Sequence, residues 1–160
     1  MYYLNYFFIF SIIGHILETF VYYNNESGIL LGPWTPVYGI GTIVILLVHK
    51  FLDNNKNKYL KFTLLFILSS IILTITEAIG GYLIEYLFHI TFWDYSELRF
   101  NIGKYIALEM ALIWGLASIA LIYIIKPFVD KKISKIPKYL TYLLTIIFII
   151  DLSLTIFIKH

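Results

Sequence analysis

The apolar positions of the chain fall into five long runs, roughly 3–23, 36–52, 60–88, 102–125 and 139–158. A helix rising ~1.5 Å per residue needs about 20 such residues to cross ~30 Å of hydrocarbon, and the runs meet or approach that length. The second is short and opens with Pro36, Gly39 and Gly41, which predicts a tilted or partly unwound start. The third is long enough to tilt or protrude. The first carries a Glu, shows no small-residue cleavage pattern and has no basic residue before Lys50, so it is expected to stay as a helix rather than act as a signal peptide. The expected fold class is an all-α integral membrane protein: one transmembrane domain over residues 1–160, built as a five-helix bundle. Its short connections leave no room for a soluble domain.

Composition sharpens this reading. Of 160 residues, 60% are hydrophobic, 19% aromatic and only 14% charged, with mean hydropathy +0.83. That is too little polar surface to cover a soluble core. With no Cys, a disulfide scaffold, a thiol nucleophile and Cys-based metal or redox sites are excluded. A net charge of +2 does not suggest nucleic acid as a partner. The basic residues mark topology instead. Lys50, Lys56, Lys58 and Lys61 surround the second connection and Lys126, Lys131, Lys132, Lys135 and Lys138 the fourth, nine against only Arg99 and Lys104 in the third and none in 24–35. The positive-inside rule predicts a multi-pass plasma-membrane protein with its N-terminus cytoplasmic and its C-terminus outside.

Five acids fall inside the runs: Glu18, Glu77, Glu85, Glu109 and Asp151. An ionised carboxylate at mid-bilayer costs about 2.5–3.5 kcal/mol on insertion scales, so these side chains are expected to face the bundle interior, pair, or hold protons. On the predicted topology all five lie in the outer half, Glu109 two turns into its helix, where only Lys104, Arg99 and His15 offer positive charge. Such a layer holds protons or awaits a cation. His15 and Glu18 share a helical face at spacing three and read either as a mutually satisfied pair or as a catalytic or proton-relay pair. No metal-binding motif and no phosphate-binding loop occurs, so neither a metal nor a nucleotide cofactor is expected of this chain.

Sliding the chain by 59 positions aligns Phe7 with Phe66, Ser11 with Ser70, Ile16 with Ile75, Glu18 with Glu77, Tyr23 with Tyr82, Glu26 with Glu85 and Trp34 with Trp93. The offset fits either coincidence in an Ile-rich chain or a parallel duplication of helices 1–2 as helices 3–4, with a fifth helix carrying Asp151 alone. A duplication would bring Glu18 and Glu77 toward a common axis, where transporters often place their sites.

Between the first two helices, Gly28 to Gly41 is apolar but rich in Gly and Pro, so it fits a re-entrant plug or an ordinary tight loop with Trp34 anchored among headgroups. The matching stretch Phe92 to Lys104 mixes aromatic rings with charge, fitting either a cationic-ligand wall or an interfacial belt. Together, Ser11, Gly14 and Glu18, the string Gly32-Pro33-Trp34-Thr35-Pro36-Val37-Tyr38-Gly39-Ile40-Gly41, Glu77, Trp93-Asp94-Tyr95-Ser96, and Phe100-Asn101-Ile102-Gly103 leading to Trp114-Gly115 resemble the bacterial CmpB-type family of ABC-transporter permeases, labelled type IV. The resemblance covers about residues 7–128. The chain departs from that pattern at Ser27, where a basic residue usually precedes Gly28, and at Lys104, where Arg is usual. It implies a multi-pass membrane protein of the bilayer that transports, with no catalytic residues to carry over.

The leading expectation is therefore a transporter or permease subunit with an outward, acidic site for a proton, a cation or an amine-bearing small molecule. Glu18, Glu77, Glu109 and Asp151 would form it, His15 would tune Glu18, and Trp34, Trp93, Asp94 and Tyr95 would close over the ligand. Gly32, Pro33, Pro36, Tyr38, Gly39 and Asn101 are expected to shape the covering segments. A separate ATP-binding subunit, or a second copy of the chain, is the partner this implies. The alternatives are a membrane-embedded enzyme on lipid-linked substrates, using His15 with Glu18, or Asp94, as general base, and a non-transporting assembly or regulatory partner.

Overall fold

The computed structural model describes residues 1–22 and 30–159. Tyr23, Glu26, Ser27 and Gly28 lie outside the described residues. Helices α1 (Tyr2–Tyr22), α2 (Pro36–Phe51), α3 (Lys58–Phe88), α4 (Leu108–Ala120), α5 (Lys126–Ile133) and α6 (Lys138–Lys159) make up nearly all of the structure. A π turn over Leu121–Ile125 joins α4 to α5, so the two run on as one 26-residue apolar rod from Leu108 to Ile133. Five helices are thus long and apolar enough to cross a membrane. At most 33% of the residues in any of their apolar windows are buried within the protein. The remaining Ile, Leu and Phe side chains face outward, an arrangement that suits lipid and not water.

Local chemistry sets the element boundaries. Pro36 opens α2 at the first helical position, where its missing N–H costs nothing. Asn57 caps α3 by accepting from the Tyr59 and Leu60 backbone N–H groups at 3.0 and 3.2 Å, and α3 ends at His89 in the left-handed region, φ 54°. The Lys126 N–H reaches back five residues to Leu121 in the π turn, which shifts the carbonyls that the Pro127 ring would strike in a regular helix.

The fourth helix corrects the sequence expectation. It begins at Leu108 and not at 102, because residues 101–107 form a two-stranded antiparallel hairpin, β1 (Asn101–Ile102) with β2 (Ile106–Ala107). Gly103 takes φ +66° at its turn, a conformation for which an L side chain is strained, and the Asn101 side chain donates to the Gly103 carbonyl at 3.0 Å. Glu109 consequently stands in the first turn of α4 rather than two turns in.

The chain divides into two compact units, Met1–Ile43 with Phe128–His160, and Val44–Pro127. In the first, α1 runs parallel to α6, tied by Thr141 Oγ1 donating to Asn5 Oδ1 (2.6 Å) and by Phe7 and Phe8 against Phe148. Tyr2 and Tyr6 both donate to Asp130 Oδ1 at 2.8 Å, which fixes the N-terminus beside α5. In the second, α3 and α4 pack antiparallel, with Phe62 against Tyr123 at one end and Glu77 against Trp114 toward the other.

Compared internally, the two units repeat one design. A Cβ on Gly39 would strike the Ser11 hydroxyl and the Phe7 ring, and a Cβ on Gly115 would strike the Ser70 hydroxyl and the Phe66 ring. Phe7 and Ser11 precede Phe66 and Ser70 by 59 positions, as the sequence offset requires, whereas Gly39 precedes Gly115 by 76. At that second offset Thr42 corresponds to Ser118, and both are buried. The offset changes across the third connection, between α3 and α4, which carries an additional hairpin.

Candidate functional site

In the first unit, the non-helical segment ahead of α2 reaches the middle of α1. The Thr35 N–H donates to the Ser11 carbonyl at 3.0 Å, and Ser11 lies nine residues after Tyr2, about 14 Å along the helix. Backbone at that depth must find partners in protein. Asp151 on α6 supplies them: Oδ1 accepts from Leu31 N (3.0 Å) and Thr155 Oγ1 (3.2 Å), and Oδ2 from Gly32 N (2.8 Å) and Trp34 Nε1 (2.5 Å). A carboxylate offers about four lone-pair sites, and these four donors fill them. Gly32 is needed here because a Cβ would lie 2.8 Å from Asp151 Oδ2. Trp34 is 5% exposed and packs on Phe8 and Phe148, so it is a buried anchor of a re-entrant segment and not a headgroup anchor.

Glu18 faces the same segment. Its Oε2 accepts from Thr35 Oγ1 at 3.2 Å, the Tyr38 hydroxyl of α2 also bonds to it, and His15 acts on it electrostatically. Gly14 allows Tyr38 to lie against α1, since a Cβ there would meet the Tyr38 ring.

The second unit builds a parallel arrangement around Glu77, which is 6% exposed. Tyr95 donates to Oε1 at 2.7 Å and Trp114 Nε1 to Oε2 at 2.8 Å. Trp114 precedes Gly115 as Tyr38 precedes Gly39, so each unit turns a ring donor from its second helix onto the acid of its first. Gly81 brings the connection close, because a Cβ there would lie 2.6 Å from the Tyr105 ring. Lys104 donates to Glu85 Oε1 (2.5 Å) and to Thr91 (2.8 Å), and Tyr105 to Glu85 Oε2 (2.9 Å), which staples the hairpin to α3. The Glu85 hydrogen bond holds the Lys104 ammonium above its usual range. Burial, reinforced by Glu85, pushes the Tyr105 phenol up.

The remaining predicted residues take different parts. Asp94 is exposed and closes a local turn by accepting from Ser96 N at 2.8 Å; the Ser96 bonds hold its carboxyl below the ordinary range. Glu109 accepts from Phe100 N at 3.2 Å through Oε1, while its Oε2 is buried without a partner. Trp93 packs on Tyr105 with its indole N–H buried and unpartnered. Pro33 is exposed beside the Asp151 anchor. A cavity of ≈ 520 Å³ opens elsewhere, among Lys58, Tyr59, Lys61, Phe62 and Tyr123 at the start of α3. Sequence reasoning left Thr35 and Trp114 out of the site; the signal that finds Trp114 is its place before Gly115, matching Tyr38 before Gly39.

Each unit holds a glutamate, half-buried Glu18 in the first and buried Glu77 in the second, with donors from its own connection and second helix, and the five long apolar helices make this a multi-pass membrane protein. The family described as "Putative ABC-transporter type IV" matches residues 5–158, and the chain belongs to that family. Neither the curated proteins nor the solved structures contain a match to it.

Proposed function

We propose that the chain is a permease subunit in which Glu18 and Glu77 take a proton, a cation or the amine of a small molecule. The observation that carries this reading is the kind of partner each acid has. Asp53 and Glu85 are bonded to Lys61 and Lys104. Glu18 and Glu77, within apolar spans, receive hydrogen bonds only from Thr35 and Tyr38, and from Tyr95 and Trp114, among the described residues. Neutral donors orient a carboxylate without balancing its charge, which is costly for Glu77, buried with no cation among its partners, and for Glu18, half-buried with only His15 beside it. A proton or a bound cation removes that cost. His15 tunes the Glu18 site, Glu109 has one acceptor oxygen to offer, and Trp34, Trp93 and Tyr95 belong to the covering segments. Asp151 holds the first cover in place. The N-terminus is cytoplasmic, and ATP hydrolysis comes from a separate subunit that docks on the basic connections around Lys56 and Lys131.

The test is melting of the detergent-solubilised protein across pH 5–8 and in the presence of sodium, potassium, magnesium, ethanolamine or spermidine. At least one of these should shift the wild-type transition and leave that of the Glu18→Gln/Glu77→Gln variant in place. Equal responses in both proteins would remove the acids from the site.

A further inference from the structure

Several Ser and Thr hydroxyls in these helices bond back onto their own backbone. Thr19 donates to His15 O, Thr76 to Ile72 O, Thr145 to Thr141 O and Ser153 to Ile149 O, all at 2.8 Å. Such back-bonding satisfies a hydroxyl that has no other partner in an apolar setting. The hydroxyls on the Glu77 face of α3 do not follow this habit. Ser69, Ser70 and Thr74 are 0%, 9% and 7% exposed, and none of their oxygens has a hydrogen-bond partner. Ser70, Thr74 and Glu77 are spaced i, i+4, i+7, so they stand one above another on one helical face, covering about 10 Å of axis from Glu77 toward the Lys58 end. Ser70 lies against Gly115, and Trp114 bonds Glu77, so this face is turned to α4 and not to lipid. The first unit repeats the pattern at the 59-residue offset: Ser11, 0% exposed with an unpartnered hydroxyl, then His15, then Glu18.

A buried hydroxyl needs both a donor and an acceptor. A bound metal ion would satisfy only its oxygen, whereas water satisfies both its oxygen and its hydrogen. We infer that bound water fills in between the Ser70 and Thr74 hydroxyls and Glu77, and that this file carries a proton over the ~10 Å between Glu77 and Ser70, one leg of its way to the basic end of the second unit. In each step a water or hydroxyl oxygen accepts one proton and passes another on, and the carboxylate of Glu77 takes or releases the last, so the chain of groups returns to its starting composition. The titratable groups on the elements packed against α3 are Tyr95, Lys104, Tyr105 and Glu109 near Glu77, and His49, Asp53, Tyr123 and Lys126 at the opposite end. Only Tyr95 among them bonds to Glu77. The inference rests on the proposed role of Glu77 and narrows its cargo to a proton.

The experiment is proton uptake into proteoliposomes of the full chain, read by entrapped pyranine after an external acid step, with the membrane potential clamped by potassium and valinomycin. Wild type should take up protons well above protein-free vesicles. Ser70→Ala/Thr74→Val should reduce the protein-dependent rate at least tenfold, Glu77→Gln should abolish it, and Thr76→Val, on the same helix but bonded to its own backbone, should leave it unchanged. Melting gives a second readout. With dry, unpartnered hydroxyls, Ser70→Ala/Thr74→Val removes an unfavourable burial and raises the transition, whereas with bound water it does not. Wild-type uptake at the protein-free rate, an undiminished rate in the double variant, or a raised melting transition would overturn the file. If cation or amine responses still disappear with Glu77→Gln while proton uptake is absent, the file falls and the binding role of Glu77 stands.

Discussion

Replacing Asp151 tests how a membrane protein keeps a non-helical segment at mid-helix depth. In Asp151→Ala, the backbone N–H groups of Leu31 and Gly32 and the indole N–H of Trp34 lose their only acceptor, while the Thr155 hydroxyl can turn to another. At ~1–3 kcal/mol for each of the three stranded donors, the loss is about 3–9 kcal/mol. Asp151→Asn keeps the shape but presents an amide NH2 group, a donor, to one side of the fork. Its single oxygen can serve Gly32 and Trp34, leaving Leu31 facing another donor, so about 2–3 kcal/mol is expected. The assay is reversible unfolding in mixed micelles titrated with SDS, followed by tryptophan fluorescence. A double-mutant cycle of Asp151→Asn with Trp34→Phe should give a coupling of about 1.5–3 kcal/mol, the range for a bond to a charged group. An Asp151→Ala protein within about 0.5 kcal/mol of wild type would refute the reasoning, because changes that small belong to surface positions without such bonds.

Gly39→Ala and Gly115→Ala should each destabilise by about 1–3 kcal/mol through overpacking, as read by the same titration, and Ser70→Ala should partly rescue Gly115→Ala because it removes the atom that the new methyl meets. For Lys104 the raised folded value means that its pairing with Glu85 contributes fully below the unfolded value near 10.5 and is lost as pH rises through the folded one. Protease protection of residues 94–107 should therefore hold from pH 6 to 9 and fall only in strong alkali, and Lys104→Ala should remove the alkaline step. Single Cys residues at Asn55 and Ser134 should be shielded from an impermeant external reagent while Cys at Ser96 reacts; the reverse pattern would invert the proposed orientation.

Hydropathy makes the five spans legible because a membrane helix must be apolar over most of its length, whatever it packs against. A repeated spacing is legible in α1 and α3, where Phe7, Ser11 and Glu18 keep the spacing of Phe66, Ser70 and Glu77. It is not legible at one offset through the second helices, since the hairpin around Gly103 adds residues that a constant shift cannot absorb. The same hairpin hides the true start of α4: Ile102, Tyr105 and Ile106 are apolar enough to extend the helical run, and the positive φ at Gly103 and the Lys104 and Tyr105 bonds to Glu85 fold them into a hairpin instead. Asp151 reads as one more intramembrane acid because composition records its charge and not its partners. Those partners, Leu31, Gly32 and Trp34, contribute two backbone N–H groups, which every residue type but proline possesses and no sequence pattern marks.

The Asp151 anchor also orders events during synthesis. Trp34 and its acceptor are 117 residues apart, and the backbone groups of Leu31 and Gly32 wait for the same side chain. At ~5–20 residues per second, roughly 6–23 s separate their emergence from the ribosome. During that interval α1 and α2 are already apolar enough to enter the bilayer, yet the segment between them has unmet N–H groups and no stable place inside it. It must wait at the membrane surface, and the arrival of α6 draws it in. Helix α6 thus completes the first pair, so a ribosome stalled before Lys138 should leave Gly32 and Trp34 within reach of a protease on the face that the proposed orientation makes external, and chains that include α6 should not.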